Sequence, residues 1–323
     1  MIKYSQQDIS DEDIQAVADA LRRDVLTQGP LLVEFESKVA DRVSASYSIA
    51  TNSATSALHL ACIAIGLKKG DIVWTSPISF VASANCALYC GASVDFVDID
   101  PDTALISVDL LEIKLKDAER IGKLPKILIP VHLAGSICDM KRISKLSKKY
   151  GFAVIEDASH AIGATYHDEP VGNCKYSDIT IFSFHPVKVM TTLEGGIAVT
   201  NNKVLADQIS KLRGHGITRN LCEFELESPG AWYYEQQDLG FNYRFNEIQA
   251  ALGISQLSRL DNFLEKRHIL MKNYRAATND LPNIKFLLEP EGSYSAYHLA
   301  IISLLKASKK QHRHLFNYMR NND

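Results

Sequence analysis

The chain has 323 residues, 46% hydrophobic and 23% charged, a composition that excludes a disordered protein and a length that fits about two domains. Its 35 Lys and Arg against 38 Asp and Glu give a net charge of -3, without the surplus of base that a nucleic-acid partner requires. The longest largely apolar stretch, Ala54 to Leu67, carries Thr55, Ser56 and His59 and is too short and polar to span a membrane.

The amino terminus, MIKYSQQDISDEDIQ, has no apolar core of a secretory signal. Six scattered cysteines without a C-x-x-C pair read as buried thiols of a cytoplasmic protein, with no metal site expected. Ser10-Asp-Glu-Asp13 predicts an N-cap and an acidic first turn, opening a helix to about Arg22. A second helix follows Pro30, with Phe35, Val39 and Val43 as its apolar spacing. SYSIAT predicts a short strand, and residues 54–65 a buried helix.

DIVWTS, SVDFVDI, KILIPVHL, FAVIED, DITIFSF and GGIAVT then read as strands buried on both faces. Helices fit between several of them, over Phe80 to Leu88, Leu110 to Lys116 and Met140 to Lys149. The alternation predicts an α/β fold, with a mostly parallel central sheet covered by helices on both faces. Ligands of such sheets sit at the carboxyl ends of the strands. Asn246 to Asn279 reads as one long helix, with Ile248, Leu252, Ile254, Leu257, Leu260 and Phe263 as its apolar positions. A strand (IKFLL), a link (EPEGSYS), a second strand (YHLAIISLL) and a helix start follow. Residues 1–245 thus read as a large domain, and 246–323 as a linking helix with an incomplete small α+β domain.

Chemistry is sought at the strand ends. Lys188 arrives four residues after DITIFSF ends at Phe184, a place for a Schiff-base lysine made nucleophilic by desolvation, or for a surface lysine in a connection. Asp157 ends FAVIED, where a carboxylate can hold a heterocyclic nitrogen protonated or form a turn. His160 reads as a partner of that ring or as a packed histidine. NSATSAL offers small and hydroxyl residues ahead of a helix, either a phosphate cradle or an ordinary cap. Ser183 can reach the same phosphate or a neighbouring carbonyl. Phe80 can stack on a flat ring or pack in the core. Asn242 and Arg244 are polar residues at the junction before the long helix.

In order and spacing, NSATSAL, TSPISFVASAN, EDASHAIGA, FSFHPVKVMTTLEGG and GFNYRFNEIQAALG resemble the sugar-nucleotide aminotransferases of the DegT/StrS type, which are fold-type-I pyridoxal-phosphate enzymes. The resemblance runs from Tyr4 to the last residue. Within that family, NSATSAL and SPISFVASAN are most similar to the C4 aminotransferases of pseudaminic acid biosynthesis, which act on a UDP-linked 4-keto-6-deoxy-N-acetyl-sugar. The resemblance implies pyridoxal 5'-phosphate as cofactor, L-glutamate as amino donor and a nucleotide-linked keto-sugar as acceptor. It makes Lys188 the Schiff-base and proton-transferring lysine, pairs Asp157 with the pyridinium nitrogen, stacks Phe80 on the ring and places His160 beside it. Ala54, Thr55 and Ser183 would hold the cofactor phosphate, and Asn242 would reach the partner's cofactor across a homodimer interface. Tyr4, Thr27, Gln28, Gly29, Glu194 and His298 would lie on the substrate side.

Three alternatives stay open: a dTDP-linked acceptor or a C3 ketone, a cofactor-binding sensor without turnover, and an inactive truncated homologue. Related sugar dehydrases carry histidine in place of the lysine, and Lys188 argues against that class. Two departures from the family pattern stand out. Leu193 occupies a turn position where many members have a small residue. The chain also ends before a V-H-Y-x-P-type segment, so a truncated or fragmentary chain is expected.

Overall fold

Local signals set the first elements. In the computed structural model, which describes residues 5–322, Ser10 caps helix α1 (Asp11–Leu21). The Asp13 N–H donates to its hydroxyl, and the Ser10 N–H donates to Asp13 Oδ2 at 2.9 Å. Pro30 is the first residue of α2 (Pro30–Val43). Strand β1 (Tyr47–Thr51) leads into α3 (Ala54–Ala64), capped by Ser53. There follow β2 (Ile72–Thr75), α4 (Ala82–Tyr89), β3 (Ser93–Phe96), α5 (Val108–Arg120), β4 (Ile127–Ile129), α6 (Met140–Tyr150) and β5 (Ala153–Asp157). Short strands β6 (Thr165–Tyr166) and β7 (Glu169–Pro170) precede β8 (Ile179–Ser183) and β9 (Gly196–Thr200).

The seven strands expected from the sequence form one sheet, in the order β1-β9-β8-β5-β4-β2-β3. Strands β8, β5, β4, β2 and β3 run parallel, and β9 is antiparallel to both its neighbours, β8 and β1. Strand alternation divides the core. Ile179 and Ile181 of β8 pack with α3, α4 and a later helix, α7 (Lys203–Leu212). Phe182 packs with Phe35 of α2, Leu111 of α5 and Ile143 of α6 on the other face. All six cysteines are unpaired, and Cys62, Cys86 and Cys138 are buried.

The remaining elements depart from the sequence reading. Helix α7 was not anticipated; Asn202 caps it by accepting the N–H of Val204 at 2.9 Å. After β10 (Ile217–Thr218) and β11 (Glu235–Gln236) the expected long helix is two, α8 (Glu247–Ser258) and α9 (Leu260–Ala277). They break at Arg259, whose guanidinium donates to Asp13 Oδ2 and, at 2.9 Å, to the Asp8 carbonyl. Helix α8 lies against α1 and α2. The last strands are β12 (Ile284–Phe286), β13 (Ser293–Tyr294), inside the expected link, and β14 (Ile302–Leu304), after which comes α10 (Lys309–Asn321). YHLAIISLL therefore yields only three ladder residues; within it the Leu299 N–H donates instead to the Ala134 carbonyl, as does that of Ala296, just before the run, to that of Gly135.

Asp13 ties α1 to the break between α8 and α9. Burial pushes its carboxyl up, but Ser255, the Ser10 N–H, Gln256 and Arg259 outweigh burial and hold it below the usual carboxylate range. Its contribution to stability is therefore present at neutral pH and fades as pH falls below the ordinary carboxylate value, through the lowered one. Asp13→Ala should cost about 2–3 kcal/mol in denaturant unfolding at pH 7, with the deficit shrinking in acid. A loss that is the same at all pH values would contradict the charge-based account.

Candidate active site

Three strands present one rung at the carboxyl edge of the sheet: Thr51 of β1 is opposite Gly196 of β9, which is opposite Ser183 of β8. A Cβ on Gly196 would lie 2.3 Å from the Ala54 nitrogen and 2.4 Å from its Cα. Glycine thus lets the first turn of α3 press against the sheet edge. Ala54 and Thr55 open that helix, where backbone N–H groups have no acceptor within the helix. Of the backbone N–H groups there, Ser53 Oγ takes that of Ser56, at 3.1 Å, and it also lies 3.0 Å from Ser56 Oγ. Two amides at a positive helix end and the buried Ser183 at the same edge form a donor set suited to a phosphate.

Asp157, also at this edge, is buried. Its Oδ2 accepts from Ser83 Oγ at 2.6 Å, Ser83 lies 2.6 Å from Ser79 Oγ, and Oδ1 accepts the Ser159 N–H at 3.2 Å. Ser83 is a site residue that the sequence reading passed over. Its signal was a serine on the buried side of α4, four residues after Ser79. Lys188 is half-buried in the turn after β8. Burial holds its amine below the ordinary lysine value, against the pull of Asp157. His160 accepts the Ala134 N–H at Nδ1 (3.2 Å). Burial and the Lys188 charge push it down to about 4, with Asp157 opposing. The neutral ring therefore carries its proton on Nε2. His298 stands over it, ring centres 4.3 Å apart.

Phe80, just before α4, is 69% exposed, which removes the core reading and leaves its face free. Arg244 bridges Thr51, Asn246 bridges Thr27, and Arg244 Nη1 donates to Gln28 at 3.5 Å, so residues 27–29 reach the Thr51 side of the sheet. Gly29 is held there by Glu247, a buried carboxylate absent from the sequence candidates. It accepts the N–H groups of Gly29, Leu31 and Leu32 at 2.8–3.0 Å. The start of α2 is thereby filled by the protein's own anion. Glu194 is exposed, 3.8 Å from His185 Nε2. Asn242 is exposed and bridges Gly214; among the described residues no side-chain hydrogen bond joins it to the Lys188 group. Tyr4 lies outside the described residues. A groove of about 710 Å³ along α9, bordered by Gly163, Leu264, His268 and Tyr297, holds none of the sequence candidates.

A carboxylate fit to meet a ring nitrogen, a lysine of lowered basicity, an open aromatic face and a phosphate cradle form a set that fits pyridoxal phosphate. The model of the DegT/DnrJ/EryC1/StrS aminotransferase family matches residues 7–323. The chain belongs to this family. It is 40% identical over 316 residues to the UDP-4-amino-4,6-dideoxy-N-acetyl-beta-L-altrosamine transaminase of Campylobacter jejuni, covering 98% of this chain and 80% of that one. Among solved structures it is similar to Helicobacter pylori PseC, an aminotransferase involved in the biosynthesis of pseudoaminic acid (TM-score 0.84, 31% identity, 94% of this chain and 78% of that one). It is also similar to Spr1654 of Streptococcus pneumoniae in its PLP form (TM-score 0.85, 28% identity, 99% and 82%), a protein solved in a PMP form as well. The protein is an aminotransferase of a pyridoxal-phosphate-dependent family.

Leu193 has φ +69° and is 55% exposed, a left-handed backbone that its side chain does nothing to favour. Leu193 sits beside Glu194, in a turn closed by its own N–H donating to Thr191 Oγ1 at 2.9 Å. Leu193→Gly should raise unfolding stability by about 0.5–1 kcal/mol. A loss of stability on chemical denaturation would show that the leucine is not strained.

Proposed function

We propose that this aminotransferase moves an amino group from L-glutamate to C4 of a UDP-linked 4-keto-6-deoxy-N-acetyl-sugar, a step of pseudaminic acid biosynthesis, and works as a cytoplasmic homodimer. The observation that carries the reading is that buried Asp157 and half-buried Lys188 both act on His160 at the carboxyl edge of the sheet. The 40% identity to the Campylobacter jejuni transaminase supports the sugar class. When bound, pyridoxal phosphate supplies the electron sink for amino transfer.

The protein's residues do the rest. Asp157, fixed by Ser83, holds the proton on the ring nitrogen, and Phe80 covers a ring face. The amides of Ala54 and Thr55 and the hydroxyl of Ser183 take the phosphate. Lys188, its amine held below the ordinary lysine value by burial, removes a proton from the donor's α-carbon and delivers one to the acceptor carbon. His160 stays neutral beside it. Thr27, Gln28, Gly29 and Glu194 face the nucleotide sugar.

The test is a coupled assay with glutamate and several UDP- and dTDP-linked 4-keto sugars. A 2-oxo acid and a 4-amino sugar should form with the UDP series, and borohydride reduction of the loaded protein should label Lys188. Turnover confined to dTDP sugars, or an amine installed at C3, would overturn the acceptor assignment. An absorbance spectrum indifferent to glutamate would mean cofactor binding without transfer. A label on Lys175 would move the reacting amine elsewhere.

Asn242 is assigned to the partner subunit's cofactor phosphate. In support, its side chain is exposed and bonded to no site residue of its own chain among those described. Mixing inactive Lys188→Ala and Asn242→Ala subunits gives dimers in which one site collects both defects and the other neither. After random exchange, about a quarter of wild-type activity should return. Confirmed exchange with no recovery would refute the shared site.

A further inference from the structure

Residues 295–299, between β13 and β14, are fixed on two sides. From α9, Arg267 Nη1 donates to the carbonyls of Tyr297 (3.1 Å) and His298 (3.2 Å), and His268 Nε2 meets the Ser295 carbonyl at 2.8 Å. From the sheet side, the Ala296 and Leu299 N–H groups donate to the carbonyls of Gly135 (3.2 Å) and Ala134 (3.4 Å). Gly135 has φ +94°, and a Cβ there would stand 2.9 Å from the Tyr297 nitrogen and 3.0 Å from the His160 carbonyl oxygen. Both handedness and space demand glycine. The same turn holds His160, through the Ala134 N–H. The two histidines therefore hang from one turn, with their rings 4.3 Å apart. His298 is buried, and its Nδ1 has no hydrogen-bond partner.

We propose that His298 is a positioning residue: clamped by Arg267 and the Ala134–Gly135 turn, its ring covers His160 and keeps water away from His160 and Lys188. The charged and titratable groups facing this pair are Lys188 and Asp157 from the sheet edge and Arg267 from α9. Burial first, and the nearby cations second, keep both imidazoles neutral. His298 is lowered first by burial, then by His160, Lys188 and Arg267. Uncovering His160 lets water stabilise its charged form, so its proton affinity rises. Lys188, lowered by burial as well, should follow in the same direction. The consequence for catalysis rests on the pocket proposed above, but the titration of His160 reads the contact itself, whatever the sugar.

The test is a histidine NMR titration of the full chain, with the His160 signal assigned by its loss in His160→Gln. The wild-type signal should titrate at about 4. His298→Ala should raise that midpoint by about one pH unit or more, a tenfold gain in proton affinity. Arg267→Met should do the same by loosening the clamp. His298→Phe, which restores a flat cover without a titrating group, should keep the midpoint near the wild-type value. An unchanged midpoint in His298→Ala, or an equal rise in His298→Phe, overturns the proposal. If His298→Ala does not fold, Arg267→Met decides by the same criterion.

Discussion

A carboxylate at the end of a central strand must be met by donors, and the active-site edge is organised around how Asp157 is met. Leaving it unpaired in a dry interior would cost several kcal/mol. Ser83 answers from α4 and the Ser159 N–H from its own turn. The parallel register that pairs Asp157 with Ile181 puts Ser183 two residues further along the neighbouring strand. The excursion carrying Lys188 starts there and is zipped shut at its base: the Phe184 N–H donates to the Gly195 carbonyl, and the Thr192 N–H to the Phe184 carbonyl, both at 2.9 Å. A lysine in a short closed loop is kept near the sheet edge, close enough for the Asp157 charge to act on its amine.

The antiparallel insertion of β9 matters for a related reason. Were β9 parallel to β8, Gly196 would begin at the far edge of the sheet. Running the other way, it begins beside Ser183 and Thr51, and its missing side chain admits the start of α3. One reversed strand thus brings a helix end and a strand end into the same phosphate-sized space. Helix α2 shows the contrast. Its start carries the same free amides in principle, but Glu247 has claimed them.

Much of this was legible in the sequence where the cause is local. Runs such as DITIFSF carry apolar residues on both faces because both faces are covered, and the Ser10 to Asp13 box is written in four consecutive residues. The features that escaped depend on distant partners. Arg259 breaks the expected long helix through an Asp13 that lies 246 positions away, and Ser83 finds Asp157 across 74 positions. No periodicity within residues 246–279 encodes that interruption, since the apolar spacing continues across it. His298 could be singled out only through the family resemblance. That its ring lies tilted against His160 depends on the turn at Ala134 and Gly135, which nothing in YHLAIISLL announces. Phe80 was ambiguous for the opposite reason: a phenylalanine beside an apolar helix reads as core, and only its exposure separates the two fates.

The elements around Lys188 are not held equally. Its floor is the sheet, where β5, β8 and β9 are buried along most of their length and joined by continuous ladders. Its cover is a five-residue segment held by a few hydrogen bonds from Arg267, His268 and the Ala134–Gly135 turn. Ser295, Ala296 and His298 are buried in it, but it has no continuous ladder, and a segment joined by fewer hydrogen bonds opens at lower free energy than the strands beneath it. With His298 as the proposed cover, the dryness that lowers the Lys188 amine depends on this segment as well as on the sheet that positions the lysine. Arg267 and Gly135, which hold the segment in place, would then act on proton transfer without taking part in it.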